Sequence, residues 1–209
     1  MMTASDAEAG DLFEALPLRD DMAHGRLHAR LVAGAQREGV LDVAYRTLRT
    51  PVGTLLLAAT EQGLVRVAYD SEDHGGHAAV LADLAERISP RVLEAPERLA
   101  QVTKQIEEYF EGRRVRFDLA LDLRLSKGFR REVITHLSGI AYGHTESYAQ
   151  VAAATGSPRA VRAVGTACAT NPLPVVVPCH RVVRSDGSAG GYVGGAAAKH
   201  TLLSLETAA

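Results

Sequence analysis

From Leu41 to Tyr69 apolar and polar positions come in short runs that break at turn residues. Leu41 to Thr50 alternates, Pro51-Val52-Gly53 marks a turn, and Gly53 to Thr60 is a compact apolar run. Glu61-Gln62-Gly63 marks a second turn, after which Val65, Val67 and Tyr69 share one face. Short strands with short links predict a three-stranded antiparallel meander. The period then lengthens. Val80, Leu81, Leu84 and Ile88 predict a helix over 76–88. Leu99, Val102, Ile106, Tyr109 and Phe110 predict another over 96–111, stopped by Gly112. Ahead of the strands, residues 1–40 carry few large apolar side chains. Ala23, Leu27 and Leu31 recur every four residues and predict a short amphipathic helix, with disorder expected at the very start.

A break near Leu125-Ser126 opens the second half. Phe129, Val133, Ile134 and Leu137 predict a helix ending near Gly139. Ser147 and Gln150 have the spacing of a capping box, in which each side chain satisfies the other's backbone N–H. That helix runs to Gly156. Ser157-Pro158 then opens a second helix, Pro158 to about Ala169, with Val161, Val164 and Cys168 on one face. Two short helices joined this way form a helix-turn-helix candidate, a pattern shared with ordinary helical hairpins. Asn171-Pro172 ends the second helix. Val175 to Val177 predicts a buried strand leading to Pro178-Cys179-His180-Arg181.

Composition narrows the class. The chain has 209 residues, 46% of them hydrophobic and 23% charged, which fits a globular protein with a real core. Its apolar runs are too short to span a bilayer, and its acidic start does not resemble a secretory signal. No membrane partner is expected. Two cysteines, Cys168 and Cys179, suit a reducing, cytoplasmic setting rather than a disulfide framework. Residues 1–125 carry 15 basic against 21 acidic side chains, and residues 126–209 carry 8 against 4. The basic second half hints at an anionic partner, nucleic acid included. Gly75-Gly76 lacks the Lys-Ser/Thr of a nucleotide loop, and no His/Cys set has zinc spacing. No metal is expected.

The candidate chemistry lies at Cys179. A thiol acts as a nucleophile only as thiolate, and an adjacent histidine can take its proton directly or through water. A buried cysteine is equally able to serve as a small hydrophobe.

The run Asn171-Pro172 … Pro178-Cys179-His180-Arg181-Val182-Val183 … Gly191-Tyr192 … Gly194-Gly195 … Lys199 … Leu202-Leu203 resembles the active-site region of the O6-alkylguanine-DNA alkyltransferases, the methylated-DNA–protein-cysteine methyltransferases. Upstream, Ser147-Tyr148 … Ala152 and Arg162-Ala163-Val164-Gly165 match as well. The resemblance is strong from about Phe129 to Glu206, follows mainly element order from about Leu41 to Leu125, and does not reach residues 1–38.

The resemblance implies an α+β fold. An extension, 1–38, precedes a ribonuclease H-like scaffold, 39–124, with a three-stranded antiparallel sheet and helices. A winged-helix-like helix-turn-helix domain, 125–209, carries the cysteine. It also implies direct-reversal repair of duplex DNA by a monomer, with no cofactor. Cys179 takes the alkyl group of O6-alkylguanine irreversibly, after the base is flipped from the stack. O4-alkylthymine is a further candidate substrate.

Roles follow residue by residue. His180 matches the histidine that takes the proton through water, Glu206 the glutamate that orients it, and Asn171 the asparagine bracing the turn beside the cysteine. Tyr148 matches the tyrosine that donates to guanine N3 and crowds the target phosphate, and Tyr192 the one beside O6. Arg162 matches the arginine that fills the vacated stack, with Ala160, Ala163 and Gly165 permitting close approach to the minor groove. Val193 and Gly194 border the pocket; Val193 stands where relatives commonly carry a polar or basic residue. Lys199 is read as a solvated side chain. Two rival functions remain open: a lesion sensor, against which Cys179 itself argues, and a thiol hydrolase, which leaves Arg162 and Tyr148 without a role.

Overall fold

In the computed structural model, which describes residues 21–70 and 75–207, the chain divides into two compact units, 1–40 and 41–209. In the first, helix α1 (Asp21–Arg37) realises the four-residue spacing, with Leu27 and Leu31 exposed. The disorder expected for the chain's start falls on residues outside the described ones.

The second unit is built on the meander. β1 (Val43–Thr50), β2 (Gly53–Thr60) and β3 (Gly63–Tyr69) pair antiparallel in sequence order. β2 is apolar at nearly every position because the sheet is covered on both sides. Leu56 and Ala58 meet Val43, Val65, Leu84 and Leu125 on one face. There α2 (Gly76–Arg87) supplies Leu84 at full burial, with Val80 and Leu81 beside it. The 3-10 turn Pro96–Leu99 and α3 (Ala100–Phe110) also pack against the meander, burying Leu99, Val102, Ile106 and Tyr109.

The sheet holds a fourth strand that the sequence pattern does not reveal. β4 (Val92–Glu94) pairs parallel to β1, giving the order β3-β2-β1-β4. Three residues are too few to display an alternation, so no periodicity could mark it. At the opposite edge, β3 is covered by the chain itself. Leu64 N–H donates to Ala120 O, and Val67 N–H donates to Pro172 O at 2.8 Å. The second bond ties the sheet to the segment that leads to Cys179.

The C-terminal half is helical. α4 (Phe129–Leu137) buries Val133, Ile134 and Leu137 against α5 (Tyr148–Ala154) and α6 (Val161–Ala169). The capping box forms as expected: Ser147 Oγ accepts from Gln150 N at 3.2 Å, and Gln150 Oε1 accepts from Ser147 N at 2.7 Å. Two expectations need correction. The second helix starts at Val161, not Pro158, because Ser157 to Ala160 closes a turn with Ala160 N–H on Ser157 O. The strand expected over Val175 to Val177 does not form. Pro172, Pro174 and Pro178 deprive the segment of ladder donors. The chain instead coils, with Val177 N–H on Leu173 O and Val175 held at φ 72. A β-branched residue there is a strained one.

Beyond this coil come a 3-10 turn (Cys179–Arg181), β5 (Glu146–Ser147) paired parallel with β6 (Val182–Val183), and α7 (Gly195–Thr207). The β5–β6 pair pins the residues just after the turn to the start of α5.

Candidate active site

Cys179 opens the 3-10 turn and is 1% exposed. Asn171, just past the end of α6, holds the coil that presents it. Its Nδ2 donates to Val177 O at 2.9 Å and to Cys179 Sγ at 3.1 Å, while its Oδ1 accepts from Leu173 N at 2.9 Å. One side chain thus satisfies the buried backbone around strained Val175 and also touches the thiol. Burial pushes the Cys179 thiol up to about 11, against the pull of the Asn171 N–H and of Lys199. The resting sulfur is therefore a neutral thiol.

The next residue, His180, is fully buried and donates from Nε2 to Glu206 Oε1 at 2.9 Å. A carboxylate at Nε2 fixes the tautomer, leaving Nδ1 as the basic nitrogen. Nδ1 is buried and has no protein partner. Burial lowers the His180 pKa, opposed by Glu206, so the ring rests neutral. A neutral base beside a neutral thiol can exchange one proton without moving any other charge.

Glu206 comes from the last turn of α7. Two of its partners were assigned no role from sequence. Arg181 grips it with Nε on Oε2 at 2.9 Å and Nη2 on Oε1 at 2.8 Å. Tyr109, from α3, donates to Oε1 at 2.7 Å. Gly143 N–H adds a bond to Oε2. Burial alone would raise this carboxyl, yet the hydrogen bonds from His180 and Arg181 hold it down at about 2. The carboxylate therefore keeps its charge and orients the imidazole. Tyr109 lies on the apolar face of its helix, so periodicity marks it as core; no local signal links it to a residue 97 positions away.

Lys199 corrects the reading of a solvated side chain. It is fully buried, donating to Val182 O at 2.6 Å and Gly191 O at 3.3 Å. Burial lowers its pKa, while Cys179 pulls the other way. No local signal marks this burial: Ala196 and Ala197 before it and His200 after it are exposed.

The loop that follows β6 carries the other expected residues. Tyr192 sets its ring edge-on to His180, centroids 6.2 Å apart. It also packs edge-on against Tyr69 of β3, whose hydroxyl meets its own at 3.0 Å. Gly194 lies under Tyr69: a Cβ there would come within 2.4 Å of Tyr69 Cζ. Val193 is exposed on the outer side. Tyr148, the first residue of α5, is half-buried and its hydroxyl lies 3.5 Å from Gly191 O. Tyr148 and Tyr192 thus lie within electrostatic reach of Cys179, and Gly194 packs under the Tyr69 ring that Tyr192 meets.

Arg162 is not part of this cluster. It is exposed in the first turn of α6, roughly 10 Å of helix from the end at Ala169 that leads to Asn171. Ala163 is exposed next to it, and Ala160 and Gly165 are partly exposed. Cys168, on the buried face of α6, has its thiol pushed up to about 12 by burial and then by Cys179.

Known proteins of one family are similar to this chain over most of its length. Residues 43–123 match the profile of the 6-O-methylguanine DNA methyltransferase ribonuclease-like domain, and 128–208 that of the DNA-binding domain. The methylated-DNA–protein-cysteine methyltransferase of Mycolicibacterium paratuberculosis is 38% identical over 164 residues, 78% of this chain and 92% of that one. The constitutive enzyme of that name from Bacillus subtilis is 39% identical over 150 residues, 72% of this chain and 86% of that one. The crystal structure of Mycobacterium tuberculosis OGT in complex with DNA superposes with a TM-score of 0.67 at 35% identity, covering 79% of this chain and 93% of that one. Two matched domains that span the whole of the second unit's core, and relatives matched over most of their length, show that this chain belongs to the 6-O-methylguanine DNA methyltransferase family.

Proposed function

We propose that the chain repairs duplex DNA carrying O6-alkylguanine by moving the alkyl group to Cys179, once per molecule. The observation that carries this reading is the buried run from Asn171 through Cys179 and His180 to Glu206, closed by Arg181 and Tyr109. His180 Nδ1 takes the thiol proton through a water, and Glu206 stabilises the imidazolium that forms. The thiolate attacks the alkyl carbon in line with the C–O6 bond. A thioether bond forms, the C–O bond breaks, and its electron pair goes to guanine O6. The proton lost by the thiol ends on the guanine, so the sum is thiol plus alkylguanine giving thioether plus guanine. Nothing in the site removes an alkyl group from a thioether, so the reaction is irreversible.

The target atom lies inside stacked duplex, so the nucleotide must leave the stack. Tyr148 and Tyr192 form the walls that receive it, and Val193 and Gly194 border it. Burial raises the Tyr148 and Tyr192 hydroxyls, which keeps both protonated as donors to the base. Arg162 enters the vacated stack. Ala160, Ala163 and Gly165 let α6 approach the minor groove. The acting species is a single chain and needs no cofactor. None of the described helices is long and apolar enough to cross a membrane, and a cytoplasmic setting suits two free thiols.

The test compares two substrates. Arg162→Ala slows transfer from an alkylated duplex and leaves transfer from the free alkylguanine base unchanged. Equal loss on both removes Arg162 from base flipping. His180→Ala slows both; full activity on either overturns the proton relay.

A further inference from the structure

A cavity of about 540 Å³ lies beside α6, away from Cys179, and its chemistry is that of an anion site. Arg87, Lys127 and Arg130 line it, with Ala163, Thr166 and Ala167 of α6 as one wall. No lining residue is acidic among the described ones. The acidic residue of the first turn of α4, Glu132, lines a different groove with Arg131 and His136. Arg87 has one carboxylate, Asp83 at 3.3 Å, in a pair exposed on both sides and so weakly held. Its Nη2 also donates to Leu125 O, which fixes the guanidinium at this seam between α2 and the C-terminal half.

A second feature converges on the same cavity. Phe129 and Arg130, which line it, are the first residues of the nine-residue α4. The N-cap is Gly128, with no side chain bonded to the first-turn amides. Arg131 N–H is taken by Gly128 O at 2.9 Å, which leaves the amides of Phe129 and Arg130 at the positive end of the helix dipole. Three cations and an uncapped helix start make a seat for a phosphate group.

We propose that this cavity takes a backbone phosphate of the DNA duplex, a step that rests on the DNA-repair reading above. Its wall explains the choice of a duplex phosphate over a free anion. Ala163 belongs both to the cavity and to the exposed small-residue face beside Arg162. Ala163 and Thr166, three residues apart and both exposed, share one helix face, so a duplex seated at Arg162 runs its backbone past them toward Lys127 and Arg130. The ribonuclease-like half then contributes to the DNA footprint through Arg87, although its sheet carries none of the chemistry.

The test is the salt dependence of binding, with the full chain and a short unmodified duplex. Each phosphate contact adds about 0.9 to the slope of log K against log salt. Lys127→Gln with Arg130→Gln is expected to lower the slope by about 0.9, the loss of one phosphate contact, and to weaken binding at low salt. Arg87→Gln lowers it by up to about one contact. Lys127 and Arg130 are exposed, so the fold should persist, and an unchanged rate of transfer from free O6-benzylguanine checks that it does. An unchanged slope in the double variant overturns the proposal. So does a lowered slope accompanied by an equal loss on the free base. If the unaltered chain fails to act on alkylated duplex, the repair reading fails instead, and that outcome is read in a separate assay.

Discussion

The hydroxyls of Tyr69 and Tyr192 lie 3.0 Å apart, one from the edge strand of the sheet and the other from the loop beside Cys179. Burial raises both phenols, so each stays protonated and one donates to the other. The sheet therefore braces both the Tyr192 loop, through Tyr69, and the coil that presents Cys179, through Val67 N–H on Pro172 O.

Gly194 tests this contact. Its backbone is not in the left-handed region, so the cost of a side chain there is steric. Gly194→Ala should destabilise the fold by about 1–3 kcal/mol, the range for overpacking, and slow transfer. Tyr69→Ala in the same chain should restore part of the transfer rate. Urea unfolding and single-turnover rates read both effects. No rescue by Tyr69→Ala would mean that Gly194 is needed for some other reason.

Glu206→Gln should be costly out of proportion to its size. It leaves Arg181 buried without its carboxylate, and breaking one side of a buried pair costs about 3–5 kcal/mol. The pH dependence follows. A carboxyl held at about 2 in the fold, and near 4.5 when unfolded, stabilises the protein above its unfolded value. That stability drains as pH falls from about 4.5 toward 2. Denaturation across this window should show the loss in the unaltered chain and a shallower one in Glu206→Gln.

His180 sets the acid limb of the transfer rate. Transfer needs the neutral ring, and burial lowers its pKa below 6.5. The rate should hold through neutrality and fall only at pH below that value. Glu206→Gln, which removes the group opposing this shift, should push the limb lower still and slow the plateau. A limb above 6.5 would contradict the neutral thiol–imidazole resting pair.

Asn171→Ala removes three hydrogen bonds at once, two of them to buried backbone around Val175. Each orphaned buried group costs about 1–3 kcal/mol, so a clear drop in stability is expected. The thiol also loses a donor that favours its thiolate, so transfer from the free base should slow. Stability measured beside activity separates the two effects. A variant of normal stability and normal rate would remove Asn171 from the site.

Local signals made much of this legible in sequence. The capping box at Ser147 and Gln150, the β1–β3 meander and the α4 face are readable because each cap, each strand with its turn and each helix face is written within a dozen residues. Cys179, His180, Asn171 and Glu206 were found together only through resemblance, since their meeting depends on α7 folding back over the 3-10 turn. At Val175 the apolar run reads as a strand and masks the sign of a coil that Pro172, Pro174 and Pro178 carry. Arg181, Tyr109, Tyr69 and Lys199 were missed because their roles come from partners far along the chain or from burial of an ordinarily solvated group. β4 was too short to carry a period.

The most direct measurement is intact mass after one incubation with a duplex holding a single O6-methylguanine, followed by peptide mapping. The account predicts a gain of one methyl, saturating at one per chain and located on Cys179. An unchanged mass, or a methyl on Cys168, would contradict it.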